Sequence, residues 1–255
     1  PRQLVLGVAR LRGERRAARH RRGPARAAAS AALAVAAERG RDASSLRVMT
    51  QVTSLVSGIE VQAAAKPSER LYSWLGKNGS EEAVLSYGEL CARGRAVCCA
   101  LVRSWNVEPG ARALLVYPPG LEFLVGFVGC QYASVVAVPY YPPDIPTALS
   151  PSEAAQKRYA DGLAKLERIC SSCTPAVLLS TKAYLRLKWV AASLLQRRLE
   201  WPQLPCHSTD DVRSPTAAER QWLNGWVARR CEPAPPDEIA FLQFTSGAHW
   251  HSARL

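Results

Sequence analysis

Residues 109–143 read PGARALLVYPPGLEFLVGFVGCQYASVVAVPYYPP. Their first run, Arg112-Ala113-Leu114-Leu115-Val116-Tyr117, is short, apolar and closed by Pro118 and Pro119. Continuous apolarity over so few residues predicts a strand buried on both faces. A helix is predicted over about 121–132 and a second buried strand at Val135–Val138. The 18 residues 121–138 have only Glu122 and Gln131 as strongly polar interruptions, which is the lower limit for a membrane-spanning helix. Pro118-Pro119-Gly120 and Pro139 flank them, however, and residues 134–138 are mostly β-branched. Helix followed by strand is therefore the reading, and no membrane span is expected.

Outward from this unit the pattern repeats. Ser86 and Glu89 have capping-box spacing. Tyr87, Leu90, Cys91, Gly94, Val97, Cys98, Leu101 and Val102 then recur on one helical face. On the other side, Tyr140–Pro146 holds three prolines and reads as a stiff, irregular loop that Tyr140 and Tyr141 pack against the domain. Ser150-Pro151-Ser152-Glu153 predicts a helix start with Ser150 as cap. That helix places Tyr159, Leu163, Leu166, Cys170 and Cys173 on one side and stops at Thr174-Pro175. A strand is predicted at Ala176–Leu179, then a helix over about 182–198 capped by Ser180 and Thr181. Trp201–Arg220 reads as loop, Pro233–Asp237 as a linker, and Ile239–Phe244 as a last strand. Helices alternating with short buried strands predict an α/β fold: a layered, parallel-rich sheet with flanking helices.

The net charge of +12 suggests a nucleic-acid ligand only until it is located. Residues 1–48 hold twelve of the 33 basic residues, all Arg, and three of the 21 acidic ones, so nine of the twelve net charges lie there. They contain 13 Ala and no Phe, Tyr or Trp, and are expected to lack a packed core. Met49 is the one methionine of the chain. Residues 1–48 therefore read as an upstream extension of the frame, with a transit segment and a basic arm as the other readings. No nucleic-acid partner is expected. The eight cysteines lack a dense spacing pattern and no secretory signal precedes them, so a cytoplasmic, reducing setting is expected, or a plastid or other organelle if residues 1–48 are a transit segment.

The candidate site is Thr245-Ser246-Gly247, directly after the strand Phe241-Leu242-Gln243-Phe244. Hydroxyl residues and a glycine after a buried strand suit a phosphate: glycine lets backbone N–H groups approach, and hydroxyls add donors. The same residues also make an ordinary turn. EIAFLQFTSG resembles the entry to the phosphate loop of the adenylate-forming (AMP-dependent) ligases, which continues Ser/Thr-Thr-Gly-x-Pro-Lys-Gly. LSYGELCARGRAVCCAL resembles that family's first capped helix. Residues 109–143 resemble its next strand, helix and strand, and VPYYPP is most similar to the fatty acyl-AMP ligase branch. The resemblance spans about residues 66–247. It implies ATP-dependent activation of a fatty acid to an acyl adenylate with release of pyrophosphate, Mg²⁺ as metal, and transfer to the thiol of an acyl carrier protein. It implies Thr245, Ser246 and Gly247 as the start of the nucleotide-phosphate site.

After Gly247 the sequence leaves the family pattern. Ala248 stands for Ser/Thr, His249 for Thr, Trp250 for Gly, Ser252 for Pro, Ala253 for Lys and Arg254 for Gly. A Trp at a glycine position blocks backbone approach, and Ala253 supplies no charge. The expectation is a truncated, inactive fatty acyl-AMP ligase-like chain: an extension over 1–48, a leader over 49–65, a partial ligase domain over 66–247 and an aberrant tail over 248–255. No catalytic or metal residue is assigned. An acyl-CoA ligase fragment and a non-catalytic interaction remnant remain alternatives. Cys170-Ser171-Ser172-Cys173 ends a helix, where the dipole disfavours a thiolate, and is not read as redox. Cys206 and His207 with His249 and His251 lack ligand spacing. No GxGxxG follows the first strand, which sets aside a dinucleotide site.

Overall fold

A computed structural model describes residues 52–145, 150, 152–194, 201–235 and 237–244. Its centre is β3 (Arg112–Val116), paired in parallel with β4 (Val136–Tyr140) on one side and β5 (Val177–Ser180) on the other. The short β6 (Cys206–Ser208) pairs parallel to β5, giving the order β4-β3-β5-β6. Ala113, Leu114, Leu115 and Val116 are all fully buried, as expected of a strand covered on both faces. Ala113, Leu115, Ala137, Val177 and Leu179 face one hydrophobic cluster, and Leu114, Val116, Val138 and Leu178 face the other. Burying each such Leu contributes about 1.5–3 kcal/mol before entropy is set against it.

The first cluster is closed by α1 (Leu55–Ala65), α2 (Tyr87–Cys99), α3 (Glu122–Ala133) and α6 (Ala217–Arg230); the second by α4 (Glu153–Cys173) and α5 (Lys182–Leu194). The connection from β3 through α3 leads to β4 on one side. The connection from β4 through α4 crosses to the other face and returns to β5 beyond β3. The winding therefore reverses between the neighbouring strands β3 and β5. Local chemistry sets the corners. Ser86 Oγ accepts the Glu89 N–H (3.2 Å) and the Glu89 carboxylate accepts the Ser86 N–H (2.8 Å), so the predicted capping box starts α2; such a cap contributes about 0.5–2 kcal/mol. α2 runs into a wide π-type turn over Ala100–Ser104. Arg112 donates to the Cys173 carbonyl (2.6 Å) and to Thr174 Oγ1 (2.6 Å), closing the end of α4 where Thr174 turns left-handed.

Several expectations need correction. Ser152, not Ser150, is the N-cap of α4; Ser150 Oγ instead accepts the Ser152 N–H (3.3 Å) in a turn ahead of the helix. Thr181 caps α5, receiving the Tyr184 N–H (3.2 Å), while Ser180 is drawn into the sheet by a bond to the Val116 carbonyl. Within Trp201–Arg220, read as loop, lie β6 and the start of α6, where Thr216 and Glu219 form a capping box. Ile239–Phe244 is not a full strand but a parallel bridge, Phe241 opposite Ala137. Its Ile239 and Phe241 remain 55% and 43% exposed. An antiparallel hairpin, β1 (Arg70–Leu75) and β2 (Glu81–Ser86), precedes α2 and was not read from the sequence. Residues 1–48, Pro146 and residues 195–198 of the predicted helix lie outside the described residues.

α2 and α3 pack at glycine contacts. A Cβ on Gly129 would lie 2.4 Å from Val97 Cγ1, and one on Gly94 would lie 2.8 Å from Val128 Cγ1. Gly129→Ala is expected to destabilise the chain by about 1–3 kcal/mol in urea titration, the cost of overpacking. Gly225→Ala, on an open stretch of α6 with nothing within 4 Å, is expected to stabilise it by about 0.5–1 kcal/mol. Equal, small effects at both positions would contradict the close α2–α3 approach.

Candidate functional site at the carboxyl edge of the sheet

Because β3 to β6 are parallel, their carboxyl ends meet one edge, and ligands of such sheets bind beyond that edge where the winding reverses. A buried polar chain ties three of these ends together. Ser180 Oγ donates to the Val116 carbonyl (2.5 Å), the Thr209 N–H donates to the Ser180 carbonyl (3.0 Å), and the Tyr117 hydroxyl meets Thr209 Oγ1 at 2.8 Å. Burial pushes the Tyr117 phenol well up, so it stays neutral and hydrogen-bonded. Gly126 of α3 allows this: a Cβ there would lie 2.3 Å from the Tyr117 oxygen. These residues are far apart in sequence, and sequence reasoning missed them.

The amino end of α5 opens on the same edge, but its donors are engaged. The Lys182 N–H donates to Asp210 Oδ1 (2.8 Å) and the Tyr184 N–H to Thr181 Oγ1. Lys182 Nζ pairs with Asp211 (2.8 Å), whose carboxyl that lysine and the Ser208 hydroxyl (2.5 Å) hold below its ordinary value. A phosphate finds a carboxylate already in place here.

The loop after β4 is pinned. The Tyr140 hydroxyl donates to the Gly162 carbonyl (2.8 Å), the Tyr184 hydroxyl to the Pro143 carbonyl (2.7 Å), and Pro142, Pro143 and Ile145 are buried. Tyr141 does not pack as expected: it stands 74% exposed, because the chain turns its neighbours inward. Beside β4, the Leu242 N–H donates to the Ala137 carbonyl (2.9 Å), and the Ala240 carbonyl accepts from Ala137 N–H (3.2 Å) and Gln131 Nε2 (2.9 Å). Phe241 meets Phe127 edge-on, with centroids 5.9 Å apart. These contacts run the segment parallel to β4 as far as Leu242. Thr245, Ser246 and Gly247 lie outside the described residues, as do residues 248–255 with His249 and His251.

Other clusters are structural. Arg95 donates to both oxygens of Glu60 (2.8 and 2.6 Å), the Tyr132 hydroxyl donates to Oε1 (2.6 Å), and Cys91 Sγ lies 3.4 Å from the same oxygen. This knot joins α1, α2 and α3 with its groups satisfied. Burial pushes the Cys170 thiol up to about 11, the opposite of a redox cysteine, and Cys173 is raised by burial too. Cys206 receives Lys188 Nζ (3.2 Å), and His207 stacks on Trp105, with centroids 4.2 Å apart. Among the described residues, no group of three or more His, Cys, Asp or Glu could hold a metal ion. No described helix is long and apolar enough to cross a membrane.

For Glu60, burial raises the pKa, but the bonds from Arg95 and Tyr132 together outweigh it, so the carboxyl sits below its ordinary 4.5. A depressed carboxyl contributes stability above its unfolded value that is lost as pH falls through the folded one. Wild type is therefore expected to exceed Glu60→Gln in denaturant stability at neutral pH, with the gap closing below about pH 4. A gap independent of pH would contradict a charged Glu60 in the knot.

The sequence profile of the family described as AMP-binding enzyme matches residues 59–249. The chain is 30% identical over 201 residues to a medium-chain-fatty-acid–[acyl-carrier-protein] ligase, JamA, of Moorena producens, covering 78% of this chain and 29% of that protein. It is 27% identical over 208 residues to the long-chain-fatty-acid–AMP ligase FadD32 of Mycolicibacterium smegmatis, covering 77% and 27%. The chain thus spans under a third of the length of these relatives. A crystal structure of the fatty acyl-adenylate ligase from L. pneumophila, in complex with acyl adenylate and pyrophosphate, superposes with a TM-score of 0.55 at 26% identity, over 78% of this chain and 29% of that one. Sheet order, the reversal between β3 and β5, and a family match running through residues 109–143 to residue 249 agree: this chain belongs to the AMP-binding enzyme family, and its relatives include fatty acyl-AMP ligases.

Proposed function

We propose that residues 66–247 are the amino-terminal part of the ligase domain of a fatty acyl-AMP ligase, with 49–65 as its leader and 1–48 and 248–255 outside it. In the complete reaction a fatty acid carboxylate displaces pyrophosphate from the α-phosphorus of ATP, and the acyl group then passes from the adenylate to a carrier-protein thiol with release of AMP. Mg²⁺ and loop donors neutralise the leaving charge when the nucleotide is bound. The continuous match of sequence and fold through α2, β3, α3 and β4 supports this reading most directly.

Thr245, Ser246 and Gly247 would begin the phosphate loop on the strand-like segment beside β4. The residues after them do not fit a triphosphate. Trp250 fills a position where backbone must approach closely, and Ala253 offers no cation. The α5 amino end cannot substitute, since Asp210 and Thr181 occupy its amides. This chain therefore forms no acyl adenylate by itself.

Calorimetric titration of the chain with Mg·ATP is expected to show no saturable binding. The variant A248T/H249T/W250G/S252P/A253K/R254G, which restores the family loop, is expected to gain it. Micromolar binding by the unaltered chain would overturn the inactive reading. A restored loop that binds no better would count against Thr245–Gly247 as the start of a nucleotide site.

A further inference from the structure

The outer face of α5 has a composition that the adenylation reading does not use. Its inner face is committed: Tyr184 and Ala191 are buried in the second cluster, and Leu185 and Leu187 pack against it. Lys188 bends inward over the Trp201 ring, 5.0 Å from its centroid. Outward, Trp189 is 72% exposed, with Val190 exposed beside it. Ala183, Ala192 and Ser193 are the small exposed residues around them, so the indole projects beyond its surroundings. Arg186, one turn before Trp189, is exposed and forms no ion pair among the described residues; Lys182 lies one turn further on the same stripe. Lys182–Leu194 contains no carboxylate.

We propose that this face of α5 rests on an anionic membrane surface, with Trp189 inserted at the headgroup level and Arg186 against lipid phosphate. A projecting indole with an aliphatic neighbour needs no groove in a partner; it needs an interface that is apolar below and polar above, which suits Trp. An exposed guanidinium one turn away supplies the charge complementarity; the helix itself carries no acid, and the nearby Asp211 at its amino end is neutralised by Lys182. A protein partner would have to cover Trp189 with a pocket and place a carboxylate at Arg186. The inference stands on α5 alone and does not depend on nucleotide binding.

The test is co-sedimentation of the full chain with vesicles of phosphatidylglycerol and phosphatidylcholine in equal parts, and with phosphatidylcholine alone. Residues 1–48 are strongly basic and add their own attraction, so the readout is the difference between wild type and the variants Arg186→Ala and Trp189→Ala. Both sites are exposed, and unchanged melting would confirm folding. Arg186→Ala is expected to lower partition into the mixed vesicles by about fivefold, the worth of one cation near an anionic surface, and Trp189→Ala to lower it through the lost indole insertion. The Arg186 effect is expected to fade in high salt and the Trp189 effect to persist. Brominated acyl chains are expected to quench wild-type fluorescence more than that of Trp189→Phe. Equal partition of wild type and both variants would assign binding to other parts of the chain and overturn the proposal, as would no partition at all.

Discussion

Everything in this chain is arranged around the burial of β3 between two parallel neighbours. Ala113 to Val116 have no contact with water, and their backbone groups are shared with β4 and β5. A strand placed there must be apolar on both faces: α2 and α3, before and after it, cover one, and the crossover from β4 through α4 covers the other. Those demands produce the two clusters, with α1, α2, α3 and α6 on one face and α4 and α5 on the other. They also create the reversal at the carboxyl edge, where the chain then assembles Tyr117, Ser180 and Thr209.

That edge is better described as a rigid frame than as a finished binding site. Its hydroxyls satisfy one another and a main-chain carbonyl, its nearest helix amino end is occupied by Asp210, and the loop after β4 is pinned by Tyr140 and Tyr184. A frame of this kind can hold a phosphate loop in position without itself supplying donors. On the proposed reading the chemistry depends on the residues beyond Phe244, whose types depart from the family's phosphate-loop pattern.

The range of each interaction decided how much of the structure was legible in the sequence. β3, α3, β4, α4 and β5 were legible because prolines bound them and because buried strands and amphipathic helices leave a periodic trace. The Ser86–Glu89 box was legible because both partners lie within one turn. β6 was not: Cys206-His207-Ser208 carries no apolar run and is a strand only through its pairing with β5. The β1–β2 hairpin had a readable signal in Asn78-Gly79, where Gly79 takes a positive φ of 80°, and α6 had one in Thr216-x-x-Glu219. Ser180 looked like a helix cap because its true acceptor, the Val116 carbonyl, is 64 residues away. Ile239–Phe244 looked like a full strand, yet only Ala240 and Leu242 reach β4. Of the candidate site, the sequence carries Thr245-Ser246-Gly247 and the departure from the family pattern after them, while the Tyr117–Thr209 frame depends on tertiary contacts.

Native-state hydrogen exchange resolved by residue tests the central arrangement most directly. If β3 is the doubly buried centre, the amides that join it to β4 and β5 will exchange only through global unfolding, and the Leu242 amide will show weaker, local protection on the outside of β4. Exchange of the β3 amides as fast as those of the exposed β1–β2 hairpin would contradict it, and with it the sheet on which the family reading of this chain rests.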